Sequence, residues 1–318
     1  MKQQILPLFE IAPMEEIHRE LSCQRMVPIY FSVGANDGKV YILYRYIRYQ
    51  QCKIQKAYYA VVTLSVDWKQ GTCGERQIDD LGDRLSMGYD FVYRQGDDWL
   101  LIGARCDYNN GNPERNGLLL GRDGTVKRTY CFGDGIDECI VMPDGTIVTS
   151  YFDEGTFADW GKGAPIGWTG IVAWRPDGTK LWDGQDYEGN YGGACDFCDD
   201  AICLDTWDGL WFYKAGQLVR ADLCLGRDHA YALAEKIVGK FQEQDEANRL
   251  FFTVSLNHCK LLFNGKHIFT QKACTWRWTA EAEPHLNGKP VLCQCVRYTD
   301  YRMLFLTNDG ILCGCRFV

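Results

Sequence analysis

Positive charge is in short supply in this chain. Its 34 Lys and Arg stand against 42 Asp and Glu, a formal net charge of −8, so a general grip on nucleic-acid phosphates or anionic lipid has no electrostatic basis. No uninterrupted apolar run reaches the ~18–20 residues that a membrane-spanning helix needs. The opening segment, MKQQILPLFEIAPMEE, has one lysine, a short apolar patch and then acids; it is too short and wrongly flanked for a secretion signal, and a cytoplasmic location is expected. Only five histidines occur, at 18, 229, 258, 267 and 285, in neither a nucleophile–base arrangement nor an HExxH spacing, so a serine or zincin-type hydrolase finds no support. The GKGAPIG stretch at 161–167 lacks the spacing and the following Lys-Ser or Lys-Thr of a phosphate loop. No EF-hand loop is present either.

Cysteine is present but below the level of a disulfide scaffold: 16 residues, about 5% of the chain against the ~8–10% of such scaffolds. In a reducing compartment these thiols are expected to be free and to pack as small apolar groups. Two spacings invite zinc, Cys195-x-x-Cys198 with Cys203, and Cys293-x-Cys295 facing Cys313-x-Cys315. The first lacks a partnering pair for a four-ligand site. In the second, a spacing of two puts each pair on one side of a strand among Leu292, Leu312 and Val318, which equally describes buried packing.

With 46% hydrophobic and 24% charged residues, the chain has ample material for a core. Its length admits two ordinary domains or one large closed architecture. Turn signals recur with regularity: GANDGKV at 34–40, RQGDDWL at 94–100, MPDGTIV at 142–148 and TWDGLWF at 206–212. β-Branched and aromatic residues flank them, so each reads as an antiparallel hairpin whose Asp-Gly or Gly-Asp pair supplies the positive φ. A second series follows downstream of the first, at 117–130, 170–182 and 260–270. Paired hairpins make four-stranded meanders, the clearest with strands near 138–142, 146–152, 170–174 and 179–182, preceded by one with strands near 89–94, 99–104, 117–121 and 125–131.

Strand repetition at this spacing is the signature of propeller blades. The expected fold is all-β, a single domain over 1–318: a six-bladed β-propeller of four-stranded antiparallel blades. Units begin near Val27, Tyr89, Asp137, Asp200, Tyr231 and Val291. The segment ALAEKIVGKFQEQDEAN within 222–248 suits a helix or two weak strands. The last unit has three strands, near 291–298, 302–307 and 311–317, while Ile5 to Ile11 form an orphan apolar run at the amino end. That run is expected to supply the missing outer strand and close the ring, removing an exposed sheet edge.

Around GDGIDECIVMPDGTIVTSYFDEG at 133–155, continuing through PIGWTGIVAWRPDG at 165–178 and DAICLDTWDGLWFY at 200–213, the sequence resembles a group of uncharacterised bacterial propeller proteins. The layout is more distantly similar to six-bladed gluconolactonase-like and NHL-type propellers, and more loosely to WD40-like repeat architecture. The wider class holds both enzymes and binding scaffolds, so the resemblance implies a fold and not a chemistry.

In such a ring, the loops leading into each first strand and those joining second to third strands share one rim, here called the upper rim. The leading loops are read at 79–89, 133–138 and 194–200, the others at 106–116 and 152–168. They gather Asp134, Asp137, Glu138, Asp153, Glu154, Asp159, Asp196, Asp199 and Asp200, with Tyr108, Trp160 and Trp168 among them. Crowded carboxylates raise one another's pKa or recruit a hard cation, calcium or magnesium, with Asp137 and Glu154 as the first choices. They equally serve as turn-formers through side-chain-to-backbone bonds. Tryptophans beside acids also suit a sugar or a cationic organic ligand. The chain therefore reads as a binding or scaffold protein that takes a small molecule or a protein partner on this rim, with no cofactor assured. The alternative is a metal-assisted hydrolase, lactonase or lyase whose calcium or magnesium sits at the channel mouth.

Overall fold

The computed structural model describes residues 2–50, 53–82, 88–109, 112–157, 163–183, 202–205, 209–214, 217–222, 227–233, 252–254, 260–263, 267–272, 275–299 and 302–316. The architecture is mostly β. It opens with β1 (Lys2–Pro13) and the short helix α1 (Met14–Glu20). The first four-stranded sheet follows as β2 (Val27–Val33), β3 (Val40–Gln50), β4 (Lys53–Asp67) and β5 (Thr72–Gly82), each antiparallel to the next. A second sheet is built from β6 (Phe91–Gln95) and β7 (Asp98–Ile102), then, after the two-residue ladder β8 (Tyr108–Asn109) and β9 (Asn112–Pro113), from β10 (Gly117–Leu120) and β11 (Val126–Tyr130). The third has β12 (Ile136–Val141), β13 (Ile147–Tyr151), the one-turn helix α2 (Asp153–Phe157), β14 (Ile171–Trp174) and β15 (Lys180–Asp183). These meanders fall within a few residues of the expected strands, because alternating apolar positions and Asp-Gly turns fix both register and reversal.

Beyond residue 200 the sheets are not separate. β16 (Ile202–Asp205), β17 (Gly209–Lys214), β18 (Gln217–Asp222) and β19 (Arg227–Leu233) form an antiparallel meander, as do β20 (Phe252–Val254), β21 (Lys260–Phe263), β22 (His267–Lys272) and β23 (Thr275–Leu286). After the short β24 (Lys289–Pro290) come β25 (Cys293–Thr299), β26 (Arg302–Thr307) and β27 (Ile311–Arg316). The outer strands of the three groups pair with one another: β19 runs parallel to the start of β23, and the end of β23 runs parallel to the first half of β1. The second half of β1 lies antiparallel to β27, with Phe9 opposite Gly314 and Pro13 opposite Ile311. The amino-terminal strand thus completes the last group, as its apolar run suggests, and also stitches it to the preceding group.

Two sequence expectations need correction. Tyr231 lies inside β19 and does not open the fifth unit, whose first described strand is β20; residues 234–251, including most of the ambiguous segment, are outside the described residues. Asp79 to Gly82 are the end of strand β5 rather than part of a leading loop.

Apolar side chains fill the gaps between successive sheets. Tyr41, Leu43 and Val61 of the first sheet pack on Val92, Leu101 and Leu118 of the second. Phe91, Leu100 and Tyr130 of the second sheet pack on Cys139, Ile147 and Trp174 of the third. Face-to-face packing of pleated sheets excludes water from both inner faces, and each fully buried large side chain contributes roughly 1.5–3 kcal/mol. Cys313 and Cys315 are buried with Leu6, Leu8, Leu286 and Phe305, the packing role open to them in the sequence.

Candidate functional site

The first strands of four groups each send one polar side chain to a common point. These are Tyr30 on β2, Tyr93 on β6, Glu138 on β12 and Arg297 on β25. Arg297 Nη1 lies 2.8 Å from Glu138 Oε2. Its Nη2 donates to the Tyr93 hydroxyl at 2.5 Å and to the Cys139 carbonyl at 2.8 Å. Tyr30 Oη donates to Glu138 Oε1 at 2.9 Å and sits 2.7 Å from Tyr93 Oη, while its ring lies 4.8 Å beneath the Arg297 guanidinium. Both charged side chains are largely withdrawn from water, at 9% and 19% exposure. Burial pushes both tyrosine hydroxyls far above their ordinary range despite the opposing pull of Arg297. Burial also works against the Arg297 charge, but Glu138 and the two hydroxyls outweigh it and hold the guanidinium protonated.

A backbone device aims three of the four. Ile29, Asp137 and Val296 are each an extra residue in their strand, since pairing jumps from Pro28 to Tyr30, from Ile136 to Glu138 and from Cys295 to Arg297. A β-bulge re-aims the next side chain. The same bulge one residue before Tyr30, Glu138 and Arg297 turns all three toward one point. Strict alternation does not reveal this, so the sequence reading placed Glu138 among rim acids and missed Tyr30, Tyr93 and Arg297. A tyrosine, glutamate or arginine in otherwise apolar first strands was the available signal.

A second cluster lies on the segments that follow β7, lead into β12 and follow β13. Asp134, 3% exposed, receives Arg105 Nε at 3.0 Å and Nη2 at 3.1 Å, and the Cys106 amide at 2.8 Å. The other guanidinium nitrogen pairs with Glu154 on α2. Burial lowers the Arg105 pKa, but the two carboxylates outweigh it, leaving a firmly charged guanidinium on a side chain that is still 60% exposed. The loops beneath are locked. Phe152 N donates to Gly135 O at 2.9 Å, and a Cβ on Gly135, at φ +69°, would meet the Gly155 amide at 2.4 Å, so only glycine permits this approach. Buried Asn116 donates to the carbonyls of Gly103 and Gly133 and accepts from Phe132 N, tying two rim loops together. Sequence gave no reason to single out Arg105 or Asn116.

The structure thus brings Asp134 and Glu154 together through Arg105, leaves Asp137 at the bulge of β12, and assigns Glu138 to the central network. Asp153 begins α2, and Trp168 is half-buried in the loop before β14. Phe157, at the end of α2, is 57% exposed. Asp159, Trp160, Asp196, Asp199 and Asp200 lie outside the described residues. Among the described residues, no three His, Cys, Asp or Glu side chains converge as a metal site. Beside the cluster, the Cys106 thiol donates to the Glu114 carbonyl at 3.2 Å; the neighbouring Cys106 thiol draws the Cys131 pKa down to about 7, while Cys131 and burial push Cys106 up.

No protein-family model and no curated protein matches the chain. Among solved structures, it is similar to a catalytically inactive virginiamycin B lyase from Staphylococcus aureus determined with quinupristin, at 11% identity and a TM-score of 0.42 over 98% of this chain and 99% of that one. It is also similar to the extracellular domain of a one-component system from B. thetaiotaomicron, at 10% identity and a TM-score of 0.42, where it spans 40% of the other chain. At these similarities neither residues nor activity carry over.

Proposed function

We propose that the chain is a single six-bladed ring serving as a non-catalytic binding protein, whose upper rim takes a neutral, hydroxyl-rich ligand of carbohydrate type. The ring reading is supported by the neighbour relations of the first strands. β2 lies beside β6 and β25, β12 beside β16, β16 beside β20, and β20 beside β25, while Tyr93 bridges β6 to β12 through Cys139. On this reading β1 closes the ring.

The functional reading rests on one observation: Arg105 already occupies the Asp134 and Glu154 carboxylates that would otherwise hold a cation, while Glu154 stays 52% exposed beside a solvent-facing Phe157. A carboxylate keeps acceptor capacity after one ion pair, and hydroxyl groups can use it. An exposed ring offers its face to the C–H surface of a sugar. Locked loops limit the entropy lost on binding.

Titration calorimetry with cello-, malto-, xylo- and manno-oligosaccharides tests this. Binding that Phe157→Ala abolishes and Glu154→Gln weakens is the expected result. If none of the sugars binds, and calcium or magnesium instead raises the melting temperature in a manner lost in Asp137→Asn, the metal-assisted hydrolase, lactonase or lyase takes its place.

A further inference from the structure

A cleft between the first and second sheets lies away from both clusters, at the end of the second sheet marked by the β6–β7 and β10–β11 turns. Phe91 pairs with Ile102 and Gln95 with Asp98, so these turns are at the opposite end from the upper-rim loop that follows β7. Two cavities adjoin there, of about 120 and 320 Å³, sharing Asp79, Trp99 and Arg122. The smaller equals roughly four waters' share of liquid volume, enough for a compact polar headgroup. Its wall carries three cations, Lys39, Arg94 and Arg122, and three acids, Asp37, Asp79 and Asp97. The larger is polar on the β10–β11 turn but carries Ile78, Leu81 and Leu120 as an apolar side.

Arg94 is the telling group. It stands opposite Trp99 across β6 and β7, with its guanidinium 4.1 Å above the indole, whose Nε1 in turn donates to Asp79 at 3.1 Å. Arg94 Nη1 is fully buried and has no hydrogen-bond acceptor within reach. A buried charged donor left unmatched is destabilising, and natural structures rarely keep one without a use. The acids nearby are otherwise engaged. Asp37 accepts Tyr41 Oη at 2.6 Å and Lys39 N at 3.0 Å, and Asp79 accepts Trp99 and, at 2.8 Å, Gln77.

We infer that this cleft binds an aliphatic α-amino acid, its carboxylate on the Arg94 guanidinium edge that lines the cleft, its ammonium against Asp37 and Asp79, and its side chain along Ile78, Leu81 and Leu120. A dianion such as phosphate would meet three carboxylates at close range, and a simple cation would meet three positive groups. A zwitterion presents each sign to its opposite. The second cavity, with its apolar side, supplies the space that an aliphatic side chain requires.

Matched probes decide it: L-leucine, isocaproate, which lacks the ammonium, isoamylamine, which lacks the carboxylate, and inorganic phosphate. In titration calorimetry L-leucine should bind, and each truncated analogue should bind at least about tenfold more weakly, the scale of one charge-assisted contact. Arg94→Gln, checked for folding by circular dichroism, should lose a similar factor. If that variant does not fold, Asp37→Asn gives the second reading with the same expected loss, and the wild-type crystal structure with L-leucine should place its carboxylate on the Arg94 guanidinium. Absence of L-leucine binding, tighter binding of phosphate, or a bound leucine elsewhere on the chain overturns the proposal.

Discussion

Two arginine–carboxylate clusters in this molecule have almost the same chemistry and opposite surroundings. Arg297 and Glu138 meet among the first strands of four sheets, where each charge is enclosed and hydrogen-bonded by buried hydroxyl, carbonyl and amide groups. Arg105 meets Asp134 and Glu154 on loops, with one carboxylate buried and the guanidinium open to water. Enclosure makes the first pair intolerant of losing either member, because the remaining charge would have no solvent to turn to. Exposure makes the Arg105–Glu154 contact cheap to lose, while buried Asp134 depends on Arg105 and the Cys106 amide. The same residue types therefore hold a fold in one place and offer a surface in the other.

The largest expected effect comes from removing the strand that completes the sheet carrying Arg297. Deleting residues 1–12 strips buried Leu6, Leu8 and Ile11 and exposes the β27 edge. At about 1.5–3 kcal/mol per side chain, the loss approaches the whole ~5–15 kcal/mol stability of an ordinary domain. Circular dichroism should show a truncated chain that melts far lower or does not fold. An unchanged melting temperature would remove β1 from the account.

Next in size is Arg297→Met, which leaves Glu138 buried and unpaired and should cost about 3–5 kcal/mol in urea unfolding. Adding Glu138→Gln should recover part of that loss, since the orphaned charge is gone. Tyr93→Phe removes one hydroxyl from the network and should cost about 1–3 kcal/mol.

Alkaline pH probes the same enclosure. Burial lifts Tyr59 and Tyr89 to about 12 and Tyr30 and Tyr93 higher still, from a usual value near 10. With the folded pKa above the unfolded one, this contribution to stability is complete below pH ~10 and falls as pH rises through the folded values, because the unfolded chain releases those protons first. Spectrophotometric titration of the folded protein should find these tyrosines silent at pH 10, with unfolding and ionisation arriving together above it.

The smallest effect should be on a single thiol. Cys131, half-exposed and drawn down to about 7 by Cys106, should label rapidly with a midpoint near that pH. Cys139, Cys313 and Cys315 are buried with pKa values pushed up, to about 12 in the latter two, and should stay silent until denaturation. Mass spectrometry of a Cys131→Ser variant checks the assignment.

Local pattern made the first three sheets legible, because alternation and Asp-Gly turns are short-range signals. The start of the fifth unit was not, since β19 is a fourth strand with the apolar content of a first one. The acids of the rim were legible as a group, yet their partners were not. Arg105 and Asn116 act across 29 and 16 residues of sequence, to Asp134 and Phe132. The central network was hidden more deeply: it joins four strands spread from Tyr30 to Arg297, and bulges shift three of its members out of the simple inward–outward count.

The direct test of the contrast between the two clusters is urea unfolding of Arg297→Met and Arg105→Met measured side by side. Enclosure predicts a loss of about 3–5 kcal/mol for the first and a smaller one for the second, whose guanidinium is 60% exposed and whose buried partner Asp134 keeps the Cys106 amide. Equal losses, or a larger one at Arg105, would contradict the contrast between an enclosed pair and one that opens to water.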